Sequence, residues 1–288
     1  MTLIARAPGK VNLCLFLGPV RADGRHELVT LFESVSLADL IEVTPVPGGS
    51  EDQVVCPGID GSNLVAQALD GLRARGWDAP PVRVVIDKRI PVAGGMGGGS
   101  ADAAALLRLA SALAPVGSDV VAELAASLGA DVPSQLVPGV SIGTGAGDAV
   151  EQRSPLAPHA FVIVAQQFGL STAQVYREAD RLALPRHEAD LAARLREIRA
   201  RTYPPFINDL EPAALSLRPE IGRALDAVRK AGAMGAMVSG SGPTVFGLFT
   251  GPDAPIRAEA VAVGLADRYP EATSAVPVSE EFWAPRGS

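Results

Sequence analysis

A chain of 288 residues with 48% apolar and 20% charged side chains can bury a large core and suggests one or two domains, two being favoured. A net charge of −7 argues against nucleic acid or an anionic membrane as the main partner. The absence of an eighteen-residue apolar run or a signal-peptide pattern leads us to expect a cytosolic protein, and two cysteines (Cys14, Cys56) with three histidines (His26, His159, His187) are too few for a disulfide framework or a cysteine-based zinc site.

Residues 1–6 and 11–17 alternate or run apolar around Pro8-Gly9, which predicts two strands and a tight turn. Lys10 opens the second strand and Asn12 shares its face; from position alone, Lys10 reads as a strand-end lysine reaching water. Asp23-Gly24 signals a turn, followed by a long strand over 27–39 and another over 40–44. Ser62 is placed to cap a helix running to about residue 75, which leads to a β-branched, alternating strand at 82–88.

Residues 91–104 then read P-V-A-G-G-M-G-G-G-S-A-D-A-A, beginning at Pro91 and carrying Gly94, Gly95, Gly97, Gly98 and Gly99. Ser100 is a good N-cap, and Ala104, Leu106, Leu107, Ala110 and Leu113 recur at helical spacing. A flexible linker rarely joins a strand to a capped helix. Strand, glycine loop and helix start instead make an anion site, because glycine lets backbone close on a ligand and the first helical N–H groups point at it. It is neither a Walker A loop, since Ser100 stands where lysine belongs, nor a dinucleotide fingerprint, since Ser100 also replaces the third glycine. The positive charge for phosphates must therefore come from elsewhere, and the chain has only three lysines, Lys10, Lys88 and Lys230.

Ser118 is placed to cap a helix over 119–128, closed by Gly129; Asp131 falls at a breakpoint, where an Asp is ordinarily a cap or turn residue. Strands at 140–142 and 149–152 flank G-T-G-A-G, and a proline-marked joint at 154–159 suggests a domain boundary. Beyond it come a strand at 161–165, a helix capped by Ser171 carrying Tyr176, a charged helix over 188–201 with a solvated pattern, and more helix from Asn208-Asp209 to about Gly232. A strand at 236–239 feeds a second glycine loop, G-S-G-P-T, with Gly240 and Ser241, before a strand at 245–249, a helix at 256–268 and a strand at 273–278. The alternation predicts an α/β protein of two domains, each a mixed sheet packed with helices, with a cleft between them.

Three stretches in order, A-P-G-K-V-N (7–12), the glycine loop (91–104) and V-S-G-S-G-P-T (238–244), resemble the motifs of the GHMP small-molecule kinases, and the resemblance covers essentially the whole chain. Within that family, K-V-N-L-x-L, R-A-D-G-x-H-E-L, G-A-D-V-P (129–133) and N-D-L-E (208–211) are most similar to the branch whose acceptor carries a cytidine diphosphate group in non-mevalonate isoprenoid synthesis. The resemblance implies a division into an ATP-binding, catalytic 1–154 and a C-terminal 155–288, with monomer or homodimer left open. It implies Asp131 as the base for the attacking hydroxyl and Lys10 as the charge stabiliser beside the transferring phosphoryl group. Pro91, Gly94, Gly95, Gly97, Gly98, Gly99 and Ser100 would cradle ATP, and Ser100 would face Mg²⁺. Asp102 reads as a dipole-compensating acid or a metal's outer neighbour. Asn12, Tyr176, Gly240 and Ser241 would meet the acceptor, as would His26 through its main chain. Arg25 stands where the family commonly has an aromatic residue, and its guanidinium plane can stack on a pyrimidine. The alternatives are a kinase of another small alcohol, homoserine- or mevalonate-like, or a catalytically silent nucleotide-binding member.

Overall fold

Two long antiparallel strands, β1 (Leu3–Val20) and β2 (His26–Pro45), open the computed structural model, which describes residues 1–59, 63–201 and 203–287. After them come β3 (Gln53–Val55), α1 (Leu64–Ala74), β4 (Val82–Asp87), α2 (Gly98–Leu113), α3 (Ser118–Leu128) and α4 (Val132–Leu136). A hairpin of β5 (Val140–Thr144) and β6 (Ala149–Arg153) precedes β7 (His159–Val164), α5 (Thr172–Arg181), α6 (Glu188–Ala200), α7 (Glu211–Leu217) and α8 (Ile221–Lys230). The chain closes with β8 (Gly235–Val238), β9 (Val245–Thr250), α9 (Ala254–Leu265), β10 (Thr273–Ala275), α10 (Glu280–Trp283) and β11 (Arg286–Gly287).

One sheet runs β11-β1-β2-β4-β3, with β5 and β6 added on β2; the other runs β10-β7-β9-β8. On the edge away from β1, β2 serves two neighbours, its residues 30–33 pairing with β5 and its residues 40–45 with β4. α2 is apolar nearly all round, with Ala101, Ala103, Ala104, Ala105, Leu106 and Leu107 buried, so it is an interior helix against β1, α1 and α4. Val11, Phe16, Phe161, Ile163 and Phe246 form an apolar layer between the sheets. Inside it the Glu33 carboxylate and the His159 ring, 2.9 Å apart and both buried, join β2 to β7. No helix among the described residues is long and apolar enough to cross a membrane. The architecture is the expected α/β arrangement of two helix-backed sheets; the first is mixed through the parallel β3–β4 pair, and the second, expected to be mixed, is antiparallel throughout.

Several local expectations are corrected. The predicted turn at Pro8-Gly9 is a slip in one continuous strand: the ladder shifts between Pro8 and Lys10, and the Lys10 N–H donates to the Met96 carbonyl at 2.9 Å. Gly9 is needed because a Cβ there would lie 3.2 Å from the Leu37 carbonyl and 3.3 Å from the Met96 methyl. The two strands predicted over 27–44 are likewise one, β2, spliced by its change of partner. Ser62 lies outside the described residues; Asn63 caps α1, its side chain accepting from the Val65 N–H at 2.8 Å. Ser100 and Ser118 are inside their helices rather than at the caps, which are Gly97 and Gly117. Gly97 takes φ +68°, so the loop's own turn starts the helix earlier than the serine signal suggested. The helix predicted from 210 to 232 breaks into α7 and α8 because Pro219 forces Arg218 out of helical geometry (φ −141°, ψ 80°). α6 is not wholly solvated, since Leu191 and Ile198 bury against β1 and β2. The final strand stops at Ala275, and α10 and β11, unpredicted, follow.

Candidate active site

A cleft of about 520 Å³ opens where β1, β2, the glycine loop, α2, α5 and the turn at 240–241 meet. The slip in β1 turns Lys10 into it. The Lys10 side chain is buried, its Nζ donating to Asn12 Oδ1 at 2.6 Å and lying 3.5 Å from Asp131 Oδ2 and 5.4 Å from the centre of the Phe32 ring. Asp131 occupies the N-cap position of α4, yet its carboxylate caps no backbone N–H. It is one-third exposed and faces the cleft, so the ordinary capping role does not consume it.

The glycine loop runs past this pair in order. A Cβ on Gly97 would sit 3.2 Å from Lys10 Cε and 3.6 Å from Asp131 Oδ2; one on Gly98 would sit 3.2 Å from Lys88 Nζ; one on Gly99 would meet only Leu64. α2 starts here, and its first closed bond runs from the Ala101 N–H to the Gly97 carbonyl, leaving the N–H groups of Gly98, Gly99 and Ser100 for an anion. The second glycine loop is fastened to the first. The Thr244 N–H donates to the Gly94 carbonyl and the Ser239 hydroxyl to the Gly95 carbonyl, each at 3.1 Å. Asn208 holds that second loop, its Nδ2 donating to the Val238 and Gly240 carbonyls at 2.9 and 2.7 Å. Asp209 ties it to β1 by accepting the Leu17 N–H and a forked pair from Arg186. The N-D-L-E stretch is therefore scaffolding for the cleft.

Lys88, in sequence only one of three lysines, has a defined place in the structure. It bridges buried Asp39 and Asp102 and lines the cleft beside Gly98. Asp39 also accepts the N–H groups of Arg89 and Ile90, which sets the strand end that launches the loop. Burial pushes the Asp102 carboxyl up to about 7, the Lys88 ammonium opposing and the charge on Asp39 adding to the rise. Asp102 lies one turn further into α2 than a dipole-compensating acid would, and its Oδ1 is buried without a partner. Removing the shared cation would leave two buried carboxyls facing each other. Lys88→Met is thus expected to cost about 3 kcal/mol or more in stability, read as a fall in Tm that lessens as pH is lowered toward 7, because losing the ammonium raises the Asp102 carboxyl further and it takes up its proton above the parent's value of about 7.

Of the expected acceptor residues, Asn12, Tyr176, Gly240 and Ser241 line the cleft together with Leu15 and Leu28. The Ser241 hydroxyl lies 3.0 Å from that of Thr172. Burial raises the Tyr176 hydroxyl above its ordinary pKa, and the Asp131 charge adds to this. The His26 ring is outside the lining: it packs on Tyr176 at 5.4 Å, with Nδ1 on the Gly18 carbonyl at 2.8 Å and Nε2 3.2 Å from Asp180. Arg25 is not brought to the cleft either; its guanidinium forks onto Asp23 and reaches Asp148 at 3.2 Å, half exposed. Among the described residues no cluster of three or more His, Cys, Asp or Glu side chains is arranged to hold a metal ion. The Ser100 hydroxyl lines the cleft beside the glycine loop, an oxygen of the kind Mg²⁺ takes together with waters and phosphate oxygens.

Models of the GHMP kinases N terminal domain and of the GHMP kinases C terminal match residues 63–139 and 181–267. The chain is 43% identical over 276 residues to 4-diphosphocytidyl-2-C-methyl-D-erythritol kinase of Rhodococcus jostii (strain RHA1), covering 91% of this chain and 88% of the relative. It is 44% identical over 265 residues to the protein of the same name from Thermobifida fusca (strain YX), covering 84% and 85%. Among solved structures, a 4-(cytidine 5'-diphospho)-2C-methyl-D-erythritol kinase superposes with a TM-score of 0.77 at 36% identity, covering 96% of this chain and all of that one. A homoserine kinase from Cytophaga hutchinsonii, at a TM-score of 0.60, 19% identity and coverage of 99% and 96%, shares the fold.

Proposed function

Because the chain belongs to the GHMP kinase family and is an ATP-dependent small-molecule kinase, we propose that it transfers the γ-phosphate of ATP to the 2-hydroxyl of 4-diphosphocytidyl-2-C-methyl-D-erythritol, in non-mevalonate isoprenoid precursor synthesis. The observation that carries the chemistry is the Lys10–Asp131 pair beside Gly97, a cation and an uncommitted carboxylate at the mouth of an anion-binding helix start. The name shared by relatives above 40% identity carries the choice of acceptor.

Phosphoryl transfer asks little covalent chemistry of a protein and much positioning and charge stabilisation. The N–H groups at the start of α2 would hold the triphosphate, aided by the helix dipole. Asp131 would take the proton of the attacking hydroxyl, and the Lys10 ammonium would offset charge on the phosphoryl oxygens as they shift. Ser100 would hold a magnesium ion together with the nucleotide phosphates, and the ion would neutralise phosphate charge. Tyr176, with Leu15 and Leu28, would form the apolar wall for the cytosine, while Asn12 and Asp131 would face the erythritol hydroxyls. On this reading residues 1–154 carry the nucleotide and the base, and 155–288 contribute Tyr176, Gly240 and Ser241.

A second reading, a kinase of another small alcohol, is favoured by one observation: the guanidinium at the family's usual aromatic position is bound to Asp23 and Asp148 and turned from the cleft. Measuring ADP release with the cytidine diphosphate substrate beside homoserine and mevalonate separates the two. Turnover with the first alone is expected; turnover only with another alcohol would overturn the assignment.

A further inference from the structure

Lys10 does not reach Asp131 unaided. Its Nζ donates to Asn12 Oδ1 at 2.6 Å, Asn12 Nδ2 donates to Thr30 Oγ1 at 2.9 Å, and Thr30 Oγ1 donates to the Cys14 carbonyl at 2.7 Å. All three side chains are buried, and the β1–β2 ladder slips by a residue between Asn12 and Cys14, beside the carbonyl that Thr30 uses.

The direction of this chain is fixed from both ends. A carbonyl only accepts, so the Thr30 proton must point at Cys14 and its oxygen must accept from Asn12. An ammonium only donates, so the atom of Asn12 nearest Lys10 must be oxygen. Both ends demand the same orientation of one carboxamide, whose two faces are otherwise nearly equal in shape. Without the Thr30 hydroxyl only one end would hold it. The amide N–H groups would then lie buried without that acceptor, and the carboxamide could tilt toward another, carrying Oδ1 and with it Nζ from its position 3.5 Å from Asp131. Gly240 closes the other side, since a Cβ there would lie 3.1 Å from Asn12 Oδ1 and 3.3 Å from Lys10 Nζ.

We infer that Thr30 is a positioning residue, which sets the orientation of the Asn12 carboxamide and thereby holds the Lys10 ammonium at the point of phosphoryl transfer. The kinetic consequence rests on the proposed function; the geometric one does not, and the test keeps them apart.

The kinetic arm compares the parent with Thr30→Val, Thr30→Ser and Asn12→Ala, and with Thr30→Val in the Asn12→Ala background. Thr30→Val is expected to lower kcat about 10- to 100-fold, the scale of a small misplacement of a catalytic group, with the KM for ATP within about twofold. Thr30→Ser should recover most of that loss. In the Asn12→Ala background Thr30→Val should add nothing, because the intermediary is gone. An unchanged kcat in Thr30→Val, or the same further drop in the Asn12→Ala background, would overturn the inference. The second arm needs no turnover. With only three lysines, the ¹⁵Nζ ammonium signals are few enough to assign singly. A signal for Lys10 protected from exchange in the parent and in Thr30→Ser should broaden or vanish in Thr30→Val, or in Thr30→Ala should the valine variant not fold. An identical Lys10 signal without the hydroxyl would overturn the inference. A parent with no kinase activity but with the predicted signals would overturn the proposed function and leave Thr30 standing.

Discussion

Asp131→Asn is expected to lower kcat by about 10³-fold, within the span ascribed to a positioned general base, while ATP binding stays within about threefold of the parent. The substitution keeps the size and shape of the side chain and removes its negative charge and with it the capacity to take a proton. It should fold, because the carboxylate caps no N–H of α4 and is one-third exposed, and its charge partner Lys10, 3.5 Å away, keeps its hydrogen bond to Asn12 Oδ1. Binding of a non-hydrolysable ATP analogue by calorimetry, together with single-turnover rates, checks both halves. Undiminished turnover would remove Asp131 as the base, and loss of nucleotide binding would show that its charge had organised the loop.

Gly95→Ala should fail for a different reason, at the junction of the two glycine loops. Gly95 has φ +80°, and a Cβ there would lie 2.4 Å from the Ser239 carbonyl and 2.8 Å from that of Gly242. Both obstacles are backbone, so no rotamer change relieves them. The left-handed conformation costs alanine roughly 1 kcal/mol, and parting the loops also loosens the Thr244–Gly94 and Ser239–Gly95 hydrogen bonds, about 1 kcal/mol each. A loss of about 3 kcal/mol or more follows, visible as a lowered Tm with weakened nucleotide binding. Gly99→Ala is the control for stability: its Cβ would meet only Leu64, at an ordinary 3.7 Å, in the first turn of a helix. A Gly95→Ala protein as stable as that control would mean that the loops part without penalty.

What could be read without coordinates was the chemistry concentrated in short motifs. The missing lysine of the glycine loop points to a remote cation, and Lys10 stands 3.5 Å from Asp131 beside Gly97. What escaped depends on residues far apart in sequence. Asp39, Lys88 and Asp102 form one cluster only because β2, the end of β4 and α2 converge, and no local pattern marks them as partners. Pro8-Gly9 carries the local signal of a turn, but the docking of Met96 and the Leu37 carbonyl against Gly9 makes it a slip in a strand. Ser100 carries the signal of a cap, yet the left-handed Gly97 started the helix before it. Arg25 could be expected to stack only while its neighbours were unknown; Asp23 and Asp148 take it first.

The unbroken run of β1 bears on how this cleft can admit two large anions. Leu3, Ala5 and Ala7 belong to the apolar cluster under α2, Val11, Leu13 and Phe16 to the layer between the sheets, and Leu15 and Leu17 to the cluster of the second sheet. Lys10 and Asn12 stand where this ribbon passes from the first of these clusters to the others. One strand of the first sheet therefore lines both apolar layers, and rocking the sheets apart would expose its Val11, Leu13, Leu15, Phe16 and Leu17 beside Lys10 and Asn12. That buried surface opposes opening between the sheets, so the arrangement of Lys10, Asn12 and Asp131 is expected to be the same before and after a ligand enters.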